Sequence, residues 1–118
     1  MTLAALLEEL KGVDADTEFD ISEWCGQLQT IPTCDLGQAL IQNSIQRACE
    51  RRGWTWKVFK QTADNEKSHC GEIGKVAPGY EGYYYEQCHE YCMASIEADY
   101  AAEALLAAYI AAVREEAK

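Results

Sequence analysis

The hydrophobic period of the sequence changes at Gly53, and this change limits the folds that the chain can adopt. Within residues 33–52 the apolar side chains recur at spacings of three and four, which predicts a helix that Thr33 or Asp35 caps and Gly53 ends. From residue 54 to residue 60 large apolar and polar side chains alternate, which predicts a strand. The inner stripe of the helix is expected to consist of Leu36, Leu40, Ile41, Ile45, Ala48 and Cys49.

Two further strands are predicted downstream of this switch. Residues 69–76 form a weak strand interrupted by glycines, and residues 83–96 form a long or bent third strand. Turn-like sequences at 61–68 and 77–82 separate the three strands. Because such short connections join antiparallel neighbours, we expect a three-stranded antiparallel sheet.

Helices are also predicted at both ends of the chain. Residues 2–11 carry leucines at helical spacing and end at Gly12, and residues 97–117 are rich in alanine, with Glu97 and Asp99 in the first turn. A chain of 118 residues is long enough for one core. The expected fold is therefore a single α+β domain over residues 1–118, a sandwich of helices packed against the short antiparallel sheet.

The chain is strongly acidic, and its N-terminal quarter is the most acidic part. It has 20 Asp and Glu against 10 Lys and Arg, a net charge of -10. Such a charge repels nucleic acid and anionic membranes and favours a partner protein with a basic surface, although it also serves solubility alone. Residues 13–32 are poorly periodic and are expected to form a loop or a short helical turn capped by Asp20 or Ser22. Its apolar side chains would pack on the body of the domain: Phe19, Ile21, Trp24 and Leu28.

The candidate partner-binding residues are acids of this segment, and acids and a tyrosine of the predicted hairpin. They are Asp14, Asp16, Glu18, Asp20, Glu81, Tyr84, Glu86 and Glu90. Tyrosine suits a binding surface because it combines a large apolar area with a polar tip, but the tyrosines could equally pack beneath the helices. A basic group beside two tryptophans could contact nucleic acid, or its arginines could cap a helix and pair with the acidic segment. This group consists of Arg47, Arg51, Arg52, Lys57 and Lys60.

Cysteine and histidine cluster in the predicted hairpin. Residues 88–92 read Cys-His-Glu-Tyr-Cys, and His69 and Cys70 lie upstream, which together could supply four zinc ligands. On a strand, however, neighbouring residues face opposite ways and residues four apart are separated by about 13 Å. We therefore expect no metal, no cofactor and no enzymatic activity, and keep a zinc-binding structural or regulatory module as the alternative. The thiols are expected to be reduced, with a disulfide from Cys70 to Cys88 or Cys92 only under oxidising conditions.

No targeting segment is predicted. Acids interrupt the leucines near the start, and the longest apolar run, residues 104–113, is too short to span a bilayer. A cytoplasmic location is expected.

Two stretches resemble a known family of small phage proteins. The first runs from Ile31-Pro32 through the predicted helix to Arg52 and on into Gly53-Trp54-Thr55-Trp56. The second is the alanine-rich sequence of residues 97–110. The resemblance is to the phage ABA sandwich domain family and covers roughly residues 31–115. It implies helix–sheet–helix layering and a phage origin, but no assigned activity, so no catalytic residue is transferred. It also implies a small accessory protein in the host cytoplasm that binds and inhibits a host protein, for example a nucleic-acid-binding defence complex in the manner of an anti-CRISPR.

Overall fold

The computed structural model describes residues 2–60, 69–76 and 90–118, apart from the side chains of Glu90 and Tyr91. In chain order the elements are α1 (Leu3–Val13), α2 (Ala15–Gln27), α3 (Asp35–Arg52), β1 (Trp54–Lys60), β2 (His69–Val76), β3 (Glu90–Ala98) and α4 (Ala101–Glu116).

The strands form one antiparallel sheet in the order β1-β2-β3. Trp54 lies opposite Lys75 at one end of the first pair, and His69 lies opposite Ala98 at the end of the second. The register of β2 with β3 shifts by one residue between Ile73 and Gly74, which is a β-bulge. The sheet and the bounds of β1 and β2 are confirmed. The third strand extends two residues past its predicted end, and the part predicted over residues 83–89 lies outside the described residues.

Helix α4 forms a middle layer of the molecule. It contacts all three strands on one side, and α1 and α3 on the other, while α2 packs on α1 and α3. The α+β class, with helices on a three-stranded antiparallel sheet, is confirmed. Among the described elements α4 contacts all three strands, and α3 also contacts β1.

Close contact between α4 and the sheet depends on a glycine. A Cβ atom built on Gly71 would lie 2.5 Å from the carbonyl carbon of Ala104. Because real Cβ atoms do not approach backbone this closely, β2 needs glycine here. The helix is buried around most of its circumference, which its small side chains allow. Its buried residues are Ala102, Ala104, Leu105, Leu106, Ala107, Ala108, Tyr109, Ile110, Ala112 and Val113.

Helix α1 is confirmed at its start and differs from the prediction at its end. The Thr2 side chain caps it by accepting a hydrogen bond from the Ala5 amide, 3.1 Å away. The predicted stop at Gly12 is wrong, since the helix continues to Val13 and the Asp14 amide donates to the Leu10 carbonyl at 2.7 Å. One glycine costs a helix only about 1 kcal/mol relative to alanine, so it does not by itself end one.

The expectation of a loop or short turn over residues 13–32 is wrong, because most of this segment forms α2. Its cap is Asp14, whose side chain accepts from the Thr17 amide at 3.3 Å. The buried stripe is Thr17, Ile21 and Cys25, spaced four residues apart. The helical period was hard to recognise because only one large apolar residue lies on that stripe.

The predicted bounds of the two longer helices also need correction at their starts. Cys34 caps α3, its Sγ accepting from the Gly37 amide at 3.4 Å, whereas Gly53 ends the helix in a left-handed conformation (φ 73°) as predicted. The start of α4 at Glu97 is wrong: β3 continues through Ala98, because its last residues still pair with β2.

Candidate functional site

Helices α2 and α3 form an antiparallel pair whose alignment is set by polar contacts. The Asp20 carboxylate accepts hydrogen bonds from the Ser44 hydroxyl at 3.1 Å and from Arg47 Nη2 at 2.8 Å. Asp14 lies 3.8 Å from Arg52 Nη2, so the start of α2 is level with the end of α3. These contacts fix which residues of the two helices lie side by side.

One helical turn further along each helix, the polar contacts give way to apolar side chains. Trp24 follows Asp20 by four residues and Leu40 precedes Ser44 by four, so Trp24 is level with Leu40 in this antiparallel pair. A second step of four residues brings Leu28 level with Leu36. Several of these side chains are exposed although they are large and apolar. These exposed residues lie on the helical hairpin of α2 and α3, and we call them the hairpin patch. They are Trp24 (38% exposed), Leu28 (47%), Ile31 (62%) and Leu36 (48%).

The hairpin patch was missed by sequence reasoning. Trp24 and Leu28 were expected to pack on the body, and Leu36 was assigned to the inner stripe of α3; the structure contradicts all three assignments. Phe19, also expected inside, is 64% exposed, whereas Ile21 is buried. The available signal was the four-residue stripe through Ile21, which leaves the other apolar residues of α2 without a place in the core.

Acids without a cation adjoin the hairpin patch. Asp16 and Glu23 lie seven residues apart on the exposed face of α2, next to Phe19 and Trp24, and Asp35 precedes Leu36. Eight acids of the described residues make no ion pair: Glu8, Asp16, Glu18, Glu23, Asp35, Glu50, Glu97 and Glu103. The patch therefore has a negative border.

The candidate acids chosen from the sequence fall into three groups. Asp14 and Asp20 are used inside the fold, as partners of Arg52 and Arg47. Asp16 is exposed, and Glu18 accepts a hydrogen bond from Ser22 at 2.8 Å. The remaining candidates lie outside the described residues, Glu90 by its side chain only: Glu81, Tyr84, Glu86 and Glu90.

Asp14 belongs to a partly buried polar cluster that joins three helices. The hydroxyl of Tyr109, on α4, donates to its Oδ2 at 2.5 Å, the Thr17 hydroxyl donates at 2.6 Å, and Arg52 Nε donates to the Tyr109 oxygen at 3.0 Å. Burial raises the pKa of Asp14, but the hydrogen bonds from Thr17 and Tyr109 and the Arg52 charge outweigh it, so that the pKa lies below 3.8. Burial and the bond to Asp14 raise the pKa of Tyr109 to about 12.

Two of the five residues of the basic group follow the second of its two interpretations, whereas Arg51 and Lys60 are exposed and make no ion pair within the described ranges. Arg47 and Arg52 pair with acids of α2, and the Arg52 guanidinium lies over the Trp54 ring, 4.9 Å from its centroid. Trp54 is buried against Tyr109, with ring centroids 6.0 Å apart. These arginines and this tryptophan are therefore occupied within the fold rather than presented to nucleic acid.

The zinc alternative depends on residues that the structure does not describe. Cys88 and His89 lie outside the described ranges, and within those ranges no group of three or more His, Cys, Asp and Glu could hold a metal. Cys70 lies opposite Glu97 and Cys92 opposite Gly74, so these two thiols are separated by about 13 Å along the sheet. Both are free.

A cavity of about 560 Å³ opens where the first turns of α1, α3 and α4 meet. Its lining includes three acids, Asp35, Asp99 and Glu103, beside Thr2 and Tyr100. The acids offset the positive ends of the helix dipoles, so the cavity has no preference for an anion.

Comparison of the chain with protein-family models, curated proteins and solved structures yields no match. Over the described ranges, none of the helices combines the length and the hydropathy needed to cross a membrane. The residues and contacts given above are therefore the basis for any functional conclusion.

Proposed function

We propose that this chain is a non-enzymatic binding protein that recognises a partner protein with a basic surface through α2 and the start of α3. The observation that carries the proposal is the combination of exposed apolar side chains with acids that have no cation. Interfaces need both: apolar area at the centre, and charges at the border that select the partner and speed the encounter. Asp16, Glu23 and Asp35 supply that border charge.

The distribution of cations supports a protein partner over nucleic acid. The net charge of -10 repels phosphate, and Arg47 and Arg52 of α3 are already paired with α2. A cationic protein groove, by contrast, is attracted by the same field.

The polar cluster around Tyr109 supports a structural role rather than catalysis. Its hydroxyl, the Asp14 carboxylate and Arg52 satisfy one another, and a tyrosine with a pKa of about 12 does not act as a base near neutrality. The cluster stabilises the packing of the helices. We therefore assign binding to the outer surface of α2 and α3.

In its narrower form, the proposal is a phage accessory protein that inhibits a host protein. The support is the resemblance of residues 31–115 to the phage family, together with the acidity. An acidic surface competes with nucleic acid for a cationic groove, so a nucleic-acid-binding defence complex is a suitable target. The acids of α2 would then take the place of phosphates.

The proposal is tested by competition with DNA for a guide-loaded CRISPR effector complex, at about 50 mM and about 300 mM salt. The wild-type protein should displace labelled DNA at low salt and lose most of this effect at high salt. The triple variant Asp16→Asn, Glu23→Gln, Asp35→Asn should be weakened by about tenfold or more.

A matched triple variant, Glu9→Gln, Glu115→Gln, Glu116→Gln, removes the same charge from acids that are paired with cations elsewhere. It should bind nearly as well as the wild type. Equal loss in both variants, or displacement that salt does not affect, would contradict an acidic recognition surface on α2 and α3.

A further inference from the structure

We propose that the hairpin patch binds an amphipathic helix of the partner, one with an apolar stripe flanked by Lys or Arg. This inference rests on the proposed function and identifies the part of the partner that is recognised.

The shape of the surface favours a helix. Trp24 and Leu28 are one turn apart on α2, and Leu36 and the half-buried Leu40 are one turn apart on α3. Because the two helices are antiparallel and these pairs are level, they form two neighbouring ridges with a groove between them. A third helix packs into such a groove with apolar residues at spacings of three and four.

The backbone of this surface supports the same conclusion. An extended peptide is usually recognised by main-chain hydrogen bonds at an open sheet edge. The surface formed by α2 and α3 offers helix faces, whose amides and carbonyls are bonded within each helix. Recognition here must therefore use side chains, which is how a helix binds in a groove.

The core does not explain why the patch is apolar. The stripe of α2 that faces the interior ends at Cys25, and α3 buries Ile41 and Ile45 instead of Leu36. Trp24, Leu28 and Leu36 do not belong to the buried core cluster. Adjacent exposed apolar side chains of this kind are typical of an interaction site.

The border charges decide between a basic partner and a second copy of this chain. Glu23 adjoins Trp24, Asp35 adjoins Leu36, and Arg47 of α3 is paired with Asp20. A symmetric dimer through the patch would bring these acids towards their own copies, which repel each other. A helix flanked by Lys or Arg meets them with the opposite charge.

The test uses three labelled peptides of about 20 residues, the length of a helix that spans the groove. One is an amphipathic helix of Leu and Lys, the second has the same composition in a scrambled order, and the third replaces every Lys by Glu. Fluorescence anisotropy should show the amphipathic basic peptide binding about tenfold tighter than the scrambled one, and the acidic peptide not binding.

The double variant Leu28→Ser, Leu36→Ser should lose about tenfold in affinity for the amphipathic basic peptide. Phe59→Ser is the matched control, because Phe59 is 45% exposed and lies on β1, away from the hairpin. It should bind like the wild type. Circular dichroism checks that the variants are folded, and hydrogen exchange of the wild type should show peptide-dependent protection confined to residues 20–40.

Three results would overturn the inference while leaving the proposed function intact. They are equal affinity for the amphipathic and scrambled peptides, protection outside residues 20–40, and a self-associated wild type that the double variant converts to monomer. Failure of the DNA competition described above, by contrast, would reject the proposed function itself.

Discussion

The Tyr109 side chain is buried, and its hydroxyl lies between groups of opposite charge. It donates to the carboxylate of Asp14 and accepts from Arg52, so a single oxygen connects α4 to α2 and α3. A buried hydroxyl without partners would cost the fold about 1–3 kcal/mol, and a hydrogen bond to a charged group contributes about as much. This geometry explains why the most buried acid of α2 is not available to a partner.

The cluster makes stability depend on pH in the acid range. Since the native pKa of Asp14 lies below its ordinary value of 3.8, its contribution is present above that value and is lost as the pH falls through the native pKa. Asp14→Asn should therefore be less stable than wild type by about 1–2 kcal/mol at pH 7, and the difference should shrink towards pH 2. Urea denaturation across this range measures both effects.

Asp16→Asn is the control, because Asp16 lies on the same helix, is exposed and makes no hydrogen bond. Its unfolding free energy should stay within about 0.5 kcal/mol of wild type. If the difference in unfolding free energy between Asp14→Asn and wild type does not change with pH, the Asp14 carboxylate does not stabilise the fold through its charge.

At the scale of elements, prediction succeeded where local sequence carries a strong period and failed where it does not. The bounds of β1 and β2 were predicted from alternation, and the end of α3 from Gly53, whose left-handed conformation suits glycine. Helix α2 was missed because its buried stripe contains a threonine and a cysteine, which carry little hydrophobic signal. The contacts of that stripe with α1 and α3 are what make the helix stable.

Two glycines in different elements should respond to alanine in opposite ways. Gly71→Ala places a Cβ 2.5 Å from the backbone of α4 and should destabilise the protein by about 1–3 kcal/mol. Gly12→Ala, inside α1 with no atom near its Cβ position, should stabilise by up to about 1 kcal/mol. Unfolding free energies in urea compare the two, and a neutral Gly71→Ala would show that α4 does not pack closely on β2.

At the scale of the whole molecule, α4 lies between the sheet and the other helices. It contacts every strand as well as α1 and α3, whereas α2 packs on α1 and α3 among the described elements. A buried middle layer opens only when the whole domain unfolds, while an outer helix can open locally. The surface we propose for binding is therefore carried in part by α2, the outermost described helix.

Hydrogen exchange should reveal this arrangement. The amides of residues 104–110 should exchange slowest, with the free energy of global unfolding, and those of residues 19–24 should exchange faster. Exchange measured by NMR as a function of denaturant distinguishes local from global opening. Equal protection of α2 and α4 would indicate that α2 is as tightly held as the middle layer.

The sequence alone determined the α+β class, two of the strands and most of α3 and α4, because period, capping residues and glycine stops act over a few neighbouring residues. Tertiary structure decided which acids remain free and which apolar residues remain exposed. Asp14 meets Tyr109 across 95 positions of sequence, and Leu36 is exposed although its spacing suits a buried stripe. Such outcomes depend on which faces of the helices meet in space, and local periodicity does not specify that choice.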